Sequence, residues 1–293
     1  LWIHTTYEYN ARKWKSFGSR SSTDLNQPYI HLTVKSIVKH CGNDFNVCLI
    51  DDDSFNQLIP NWTVKISELP EPARQCYRDL AMCELLYIYG GLVVPNTFVC
   101  LRNLAGLYHK NVEDNIPFVC EMPNRYESLI QGQKWNLFTS NIRFMGAPKR
   151  SPIIREMAQY LKIRTENGHV NSEPEFFGYT SKWVNNEVVR ERFRLVDGIQ
   201  IGVKTNGNKA VVVEDLLSSE PIQFCPQRTY GVLIPGDEIL RRSHYQWFSV
   251  LPTEELLKTD MAITRYILAS LADNEEEEEP TRDSYNERTV ISI

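Results

Sequence analysis

Residues 85–97 of this 293-residue chain, LLYIYGGLVVPNT, decide the fold. They connect a predicted helix, Ala73–Tyr89, to a short apolar strand through the pair Gly90-Gly91. Helical spacing of the apolar face supports the helix, on the residues Cys76, Leu80, Cys83 and Tyr87. Pro95 then interrupts the apolar run, because proline has no N–H to donate to a sheet. The stretch therefore predicts a helix, a tight glycine turn and a core strand in succession.

Upstream of this stretch, strands and helices are predicted to alternate. Leu1–Thr5 and Phe45–Ile50 are compact apolar segments and predict strands, and Tyr29–Cys41 has the spacing of a helix. Val64–Ile66 is predicted as a third strand. The alternating order predicts a mainly parallel sheet flanked by helices.

Downstream, the pattern is mixed. The predicted strands are Phe98–Leu101 and Pro117–Glu121, the predicted helices are Pro152–Ile163, Phe176–Val184 and Glu254–Leu271, and Asn206-Gly207 predicts a hairpin turn. Ile222–Leu251 is rich in aromatic and apolar residues and is predicted to be strand-rich. The half that follows residue 105 is therefore expected to be mixed and strand-rich.

The charge of the chain is concentrated at its carboxyl end. Residues 273–293 hold eight acidic and two basic residues, a net charge of −6, whereas the whole chain carries −5, which leaves +1 for the rest. A run of five glutamates is typical of a solvated tail. We predict one domain over residues 1–272 and a flexible acidic tail over residues 273–293. The nearly neutral body gives no electrostatic argument for a nucleic-acid partner.

The sequence gives only weak evidence about the cellular compartment of the protein. No apolar run approaches the roughly 18–20 residues that cross a bilayer, and no secretory signal pattern is present. The chain begins Leu1-Trp2-Ile3-His4, as though inside a strand, so the localisation stays unknown and an anchor before Leu1 stays open. The seven cysteines are scattered without a Cys-x-x-Cys pair, which predicts free thiols in the core rather than a zinc site or a disulfide framework.

The stretch from Asp79 to Thr97 resembles the GT-A-fold glycosyltransferases with a DXD-containing sugar-binding region and the related capsular polysaccharide synthesis proteins. Their shared pattern is Ser-Asp-x-x-Arg, a Leu-Leu-Tyr helix, Tyr-Gly-Gly, an apolar strand and then Asp-x-Asp or Asp-Ala-Thr. The resemblance is clearest over residues 70–105 and continues more weakly toward Leu1. It implies an α/β fold with a GT-A-like, Rossmann-type mixed sheet flanked by helices and a strand-rich C-terminal half.

The resemblance also implies where a site lies. Asp79 falls at the family's first aspartate, which in relatives helps to hold the nucleotide sugar, and Thr97 matches the end of the Asp-Ala-Thr form. Met82 stands at the arginine position and Pro95 at the first metal-binding aspartate, so the DXD motif is degenerate. We therefore expect Asp79, Asn96 and Thr97 to be vestigial nucleotide-sugar-binding residues, with no catalytic residue and no metal or other cofactor.

These replacements have a chemical consequence. A GT-A site must neutralise a diphosphate leaving group, commonly with a divalent cation held by carboxylate oxygens. Losing one stabilising group of this kind typically costs about 10²–10³ in rate. A metal-independent transferase would need basic side chains instead, and Lys149, Arg150 and Arg20 lie in polar loops of the sequence.

A weaker alternative metal site is the acidic run Asp51-Asp52-Asp53, in which Asp51 and Asp53 formally make an Asp-x-Asp pair after a strand. Carboxylates at the carboxyl end of a parallel strand lie where ligands bind in such sheets. The simpler interpretation is that these acids cap the following helix and complement its dipole.

Two functions stay open. In the first, the protein is a degenerate glycosyltransferase-like protein, kept as a structural or binding component of a larger assembly such as a virion or an organellar complex. Other protein subunits are then its partners, and Thr229–Phe248 and the acidic tail are candidate contacts, although core packing is the simpler explanation of those aromatics. In the second, it is an active transferase that moves a sugar from a nucleotide donor to a glycan or protein, with Mn²⁺ or Mg²⁺ as the alternative cofactor.

Overall fold

The computed structural model describes residues 1–6, 27–124, 137–166, 172–272 and 291–292. The strands formed within these residues are β1 (Trp2–His4), β2 (Cys48–Ile50), β3 (Gly91–Val93), β4 (Phe98–Cys100), β5 (Phe118–Pro123), β6 (Phe138–Ala147), β7 (Arg194–Val196), β8 (Gly231–Leu233) and β9 (Ile291–Ser292). The α-helices are α1 (Tyr29–Cys41), α2 (Phe55–Leu58), α3 (Ala73–Tyr89), α4 (Ala105–Asn111), α5 (Pro152–Glu166), α6 (Glu173–Val189), α7 (Val213–Leu217), α8 (Gly236–Arg241), α9 (Gln246–Ser249), α10 (Thr253–Leu256) and α11 (Ala262–Leu271). Short 3-10 turns lie at Ile66–Glu68, Glu113–Asn115 and Ser243–Tyr245.

The main sheet has the strand order β7-β5-β6-β3-β1-β2-β9. Strand β1 is parallel to both of its neighbours, β2 and β3, whereas β6 runs antiparallel to β3 and β5. The predicted α/β class is confirmed, because the sheet is mixed and helices flank it. Strands β5 to β8 lie in the half that follows residue 105, which is mixed as expected but has more residues in helices than in strands.

Successive side chains along the strands of the main sheet lie on opposite faces and belong to two apolar clusters. In β1, Trp2 faces a cluster with α3, α5 and α6, whereas Ile3 faces a cluster with α1 and β4. In β3, Val93 and Leu92 divide between the same two clusters. Successive residues of a strand point to opposite faces, so an unbroken apolar run is what a sheet covered on both sides requires.

The turn from α3 into β3 depends on glycine. Gly90 has φ +71°, and a Cβ placed on it would lie 2.6 Å from the backbone nitrogen of Lys149. Any other residue would be strained in this backbone region and would also collide with the chain after β6. The Gly-Gly pair therefore ends α3 and lets β6 pass close beside it.

A second, two-stranded sheet joins the two halves of the chain. Strand β4 pairs antiparallel with β8, with Phe98 opposite Leu233 and Cys100 opposite Gly231. A third apolar cluster forms around β8 and helices α7 to α11, and it includes Tyr29 of α1. The carboxyl-terminal elements thereby pack on the amino-terminal helix.

Three predicted elements differ from the structure. Val64–Ile66 is not a strand; its last residue begins a 3-10 turn, and the third parallel strand is β3. Ile222–Leu251 has only β8 as a strand, and most of the residues after it are in short helices whose apolar side chains pack in the third cluster with Tyr29 of α1. The predicted final helix Glu254–Leu271 is two helices, α10 and α11, separated by the polar residues 258–260.

The predicted division at residue 272 stays a prediction. Most of the predicted flexible tail, residues 273–290 and 293, lies outside the described residues. Its described part, Ile291–Ser292, forms β9 and pairs parallel with β2. No described helix combines the length and the apolar character that a membrane span requires.

Candidate functional site

A cleft of about 480 Å³ opens at the carboxyl ends of β1 and β3. The chain leaves β1 toward β2 on one side and returns through β3 on the other, and open α/β sheets bind ligands at such a reversal of strand order. The first half of α3, strand β6, the start of α6 and the segment after β8 complete its walls.

The turn Pro95-Asn96-Thr97 lies in this cleft. The backbone carbonyl of Asn96 accepts a hydrogen bond from the Thr33 hydroxyl, and the carbonyl of Thr97 accepts one from the Ile234 N–H at 3.1 Å. The side chains of Asn96 and Thr97 are half-buried, and within the described part of the chain neither makes a hydrogen bond. The backbone thus fixes the turn, and its polar side chains remain available to a ligand.

Asp79 lies in the same cleft, on α3, and is 5% exposed. The guanidinium of Arg143 donates to both of its carboxylate oxygens, from Nε at 3.2 Å and from Nη2 at 3.3 Å. The side-chain amide of Gln75 donates to Oδ1 at 3.0 Å. Burial raises the pKa of the Asp79 carboxyl group, and Arg143 opposes that increase. The structure therefore brings together all three predicted residues, Asp79, Asn96 and Thr97.

Arg143, on β6, also contacts two further carboxylates. Its Nη2 donates to Glu173 at 2.9 Å and its Nη1 to Asp237 at 3.1 Å. The guanidinium lies over the Phe177 ring, 4.9 Å from its centroid. Burial disfavours the charged form, but the surrounding carboxylates, led by Asp79, raise the pKa of Arg143 above its ordinary value. One permanent cation is thus held by carboxylates from α3, α6 and α8.

The sequence interpretation missed Arg143. A signal was present, since Arg143 lies between Ile142 and Phe144 in the otherwise apolar end of β6. A charged residue in a buried strand requires a partner of opposite charge. The identity of that partner depends on the tertiary structure, because Asp79 lies on another element.

A second, partly buried ion pair lies at the edge of the cleft. Arg78 donates to Asp52 from Nε at 2.8 Å and from Nη2 at 2.7 Å, and His4 Nε2 lies 3.0 Å from Asp52 Oδ1. The His4 ring is stacked on Phe55 with 5.6 Å between centroids. Although burial opposes ionisation, the hydrogen bonds from Arg78 and His4 lower the pKa of Asp52 well below its ordinary value. This set was also absent from the predicted site.

The acidic run after β2 forms a turn. Asp51 Oδ1 accepts hydrogen bonds from the Ser54 N–H at 2.9 Å and the Ser54 hydroxyl at 2.7 Å, just before α2. This geometry favours the capping interpretation, while Asp53 is exposed. Among the described residues, no group of three or more His, Cys, Asp or Glu side chains is arranged to hold a metal ion. A metal site at Asp51 and Asp53 stays an untested prediction.

The other residues singled out in the sequence lie elsewhere or serve packing. Met82 lines the cleft and is buried. Lys149 and Arg150 are exposed in the turn after β6 and are not part of the described lining, and Arg20 lies outside the described residues. Of the aromatic residues in Thr229–Phe248, Tyr245 and Phe248 are buried in the third apolar cluster and Trp247 is 46% exposed.

The donor atoms of Asp79 and of the turn after β3 do not suit the divalent cation that the resemblance would imply. The Pro95-Asn96-Thr97 turn offers one amide oxygen and one hydroxyl, both neutral, where Mg²⁺ and Mn²⁺ prefer carboxylates. Both oxygens of Asp79 already face the positive charge of Arg143, which would repel a metal ion. In this cleft the positive charge beside Asp79 is the guanidinium of Arg143 rather than a metal ion.

Comparison with known proteins gives little further guidance. No family model matches the chain, and no curated protein matches it. One solved structure that aligns with it is "PaToxG Glycosyltransferase", at 12% sequence identity and a TM-score of 0.35, over 65% of this chain and 71% of that one. Similarity at this level does not establish a shared activity or substrate.

Proposed function

We propose that the protein is a degenerate glycosyltransferase-like protein that does not carry out metal-dependent sugar transfer and serves as a binding or structural component of a larger assembly. The motif around Tyr89-Gly90-Gly91 and the position of the cleft support the glycosyltransferase-like part. The composition of the cleft supports the loss of metal-dependent transfer.

The observation that carries the proposal is the pairing of Asp79 with Arg143 beside a turn without acids. Glycosyltransferases of this type rely on carboxylates to hold the cation against the leaving diphosphate. Here the turn after β3 has no carboxylate, and the one buried aspartate of the cleft is neutralised by Arg143. Residues that hold one cation act as a unit, and the effects of replacing them are not additive. With Met82 at the arginine position and Pro95 at the first metal-binding aspartate, we expect cation-assisted transfer to be lost.

Thermal unfolding in the presence of nucleotide sugars tests the proposal. The full chain is titrated with UDP-glucose, UDP-N-acetylglucosamine and GDP-mannose, each with and without Mn²⁺. Ligand binding to the folded state raises the unfolding temperature by mass action. We expect no Mn²⁺-dependent increase for the natural chain. A Mn²⁺-dependent increase with any one donor would contradict the proposal.

A matched pair of variants makes the test sharper. Pro95→Asp with Thr97→Asp restores the acid pair, and Pro95→Asn with Thr97→Asn has nearly the same shape without charge. If only the absence of acids at this turn prevents cation binding, the Asp variant gains a Mn²⁺-dependent increase and the Asn variant does not. Donor hydrolysis, measured for each protein with and without Mn²⁺, reports on transfer chemistry directly.

The alternative function, an active transferase without a bound cation, predicts a different result in the same assay. Such an enzyme hydrolyses or transfers from a donor at the same rate with Mn²⁺ or with a chelator. Donor hydrolysis or transfer in the presence of a chelator would show that the protein is an active, metal-independent transferase and would overturn the proposed binding role. The assembly role is tested separately, by the mass of complexes purified with the tagged full chain.

A further inference from the structure

We propose that the cleft binds a neutral saccharide rather than an anionic nucleotide. This inference rests on the proposed function and names the ligand of the binding role. It follows from the charges and the hydrogen-bonding groups of the described cleft lining.

The charges of the cleft are already paired with one another. The carboxylates of the lining are Glu71, Asp79, Glu173, Asp237 and Glu238, and each lies within 4.0 Å of an arginine nitrogen. The described arginines of the lining, Arg78 and Arg143, are in turn bound by carboxylates. With the partners just outside the lining included, seven carboxylates face five guanidinium groups. The described groups of the site therefore carry a small net negative charge and no excess of positive charge.

A nucleoside diphosphate would be poorly accommodated by this charge distribution. Its diphosphate needs a metal ion or a cation that is not engaged elsewhere. To reach Arg143, it would have to displace a carboxylate from a guanidinium that already donates to Asp79, Glu173 and Asp237. The displaced carboxylate would then lie beside the phosphate without a counter-charge, and this repulsion disfavours binding.

Neutral hydrogen-bonding groups line the same cleft. The amide of Asn96 and the hydroxyl of Thr97 have no hydrogen-bond partner in the described part of the chain. Asn141 is 6% exposed, and its Oδ1 accepts a hydrogen bond from the backbone N–H of Arg143 at 2.8 Å. Its side-chain NH₂ donates to no described residue. Amides and hydroxyls combine donors and acceptors, as the hydroxyl groups of a saccharide do. Paired carboxylates retain lone pairs that accept from further hydroxyls.

The volume of the cleft suits the same ligand class. A space of about 480 Å³ lies within the range of small-molecule sites in proteins. Buried polar groups that lose water without gaining a partner oppose binding. A saccharide, with a hydroxyl on most of its ring carbons, provides a partner for Asn96, Thr97 and Asn141 at once. An apolar ligand would leave all three unsatisfied.

Ligand-observed saturation-transfer NMR on the full chain tests the inference. The probes are glucose, galactose, mannose, N-acetylglucosamine and maltose as neutral saccharides, UDP and GDP as anions, and glucosamine as a cation. We expect saturation transfer to at least one neutral saccharide. The double variant Asn96→Ala with Thr97→Val should weaken that binding by about tenfold, since two hydrogen bonds to the ligand are lost.

Control variants keep the result interpretable. Asn56→Ala removes an exposed amide on α2, away from the cleft, and should leave the affinity unchanged. Thr97→Val alone conserves shape and serves if the double variant does not fold, which circular dichroism shows. It should weaken binding about threefold, as expected for one hydrogen bond.

Four outcomes would overturn the inference. They are tighter binding of UDP or GDP than of every neutral saccharide, tighter binding of glucosamine than of glucose, binding to no neutral saccharide, and saccharide binding that the Asn96 and Thr97 substitutions leave unchanged. None of these depends on Mn²⁺, whereas the proposed function fails on a Mn²⁺-dependent response. The two can therefore fail separately.

Discussion

Arg143 and Asp79 are 64 residues apart in the sequence and meet through two hydrogen bonds, Nε to Oδ1 at 3.2 Å and Nη2 to Oδ2 at 3.3 Å. The bonds tie the antiparallel strand β6 to helix α3 across the base of the cleft. Because Asp79 is buried, its charged form depends on Arg143, whereas the guanidinium stays protonated in either case.

Removing the charge of Arg143 should therefore destabilise the fold. We expect Arg143→Met to lower the free energy of unfolding in urea by about 3 kcal/mol, because it leaves Asp79 buried without its counter-charge. The double variant Arg143→Met with Asp79→Asn should be less destabilised than the sum of the single variants, since the two effects share one cause. Simple additivity of the two losses would show that the pair is not coupled.

The Asp52–Arg78 pair should make stability depend on pH. The pKa of Asp52 is lowered in the folded state, so its contribution is fully present above the unfolded value of about 3.9 and is lost as the pH falls through the folded-state pKa. Urea unfolding at pH 7 should show the natural chain to be more stable than Asp52→Asn. That difference should narrow as the pH falls below about 4. Asp53→Asn, at an exposed position, is the control and should show no such narrowing.

Gly90→Ala should be costly. Gly90 has φ 71° and ψ −166°, a region that is essentially restricted to glycine and costs other residues about 1–3 kcal/mol, and the added Cβ would also meet the Lys149 backbone. We expect a loss of at least about 2 kcal/mol in the free energy of unfolding. Gly207→Ala is the matched control, because its nearest neighbouring atom would be 3.9 Å away, and its effect should stay within about 0.5 kcal/mol. Equal effects at the two sites would contradict this account of the turn.

The cysteines should differ in reactivity. Six are buried and Cys225 is partly exposed, and none is in a disulfide. In the native protein, the thiol reagent DTNB should therefore label one cysteine quickly, and in denaturant it should label all seven. Cys225→Ser should abolish the fast phase. A fast phase that survives this substitution would mean that a buried thiol is reached through local opening of the fold.

The cap of α6 should contribute to stability near the cleft. The Ser172 hydroxyl accepts from the Glu175 N–H at 3.3 Å and satisfies one free donor of the first turn, which also carries Glu173. Ser172→Ala should lower the free energy of unfolding by about 1 kcal/mol, whereas Ser172→Asp should keep the cap. A loss of the same size in both variants would point to packing at this position rather than to the cap.

Local patterns predicted much of the fold. The helix Ala73–Tyr89, which forms between the same residues in the structure, combines apolar spacing with a glycine stop, and both signals depend only on near neighbours. The compact apolar segments around β1 and β2 were found for the same reason. The scattered cysteines were interpreted as core residues, and the burial of six of them confirms that interpretation.

Where prediction failed, tertiary contacts decided. Val64–Ile66 has the composition of a strand, yet the place beside β1 is taken by β3, which the Gly-Gly turn delivers there. In Ile222–Leu251, aromatic residues suggested strands, but packing on α1 favours short helices. Short apolar segments do not by themselves distinguish the two states.

The candidate site was predicted in part. Asp79, Asn96 and Thr97 all line one cleft, as the resemblance implied. Arg143 and the His4–Asp52 contact were missed, because a charge pair becomes visible only when distant elements are brought together. The roles of these residues stay predictions that the experiments above address.

The β4–β8 pairing has a consequence for how the molecule is made on the ribosome. The segment after β8 supplies Pro235 and Asp237 to the cleft, and it is held there by the pairing of β8 with the much earlier strand β4. Domains generally fold as units during synthesis. A nascent chain that has not yet released Leu233 from the exit tunnel holds Asp79 and Arg143 but lacks this wall, so the cleft is complete only after β8 has emerged and paired with β4.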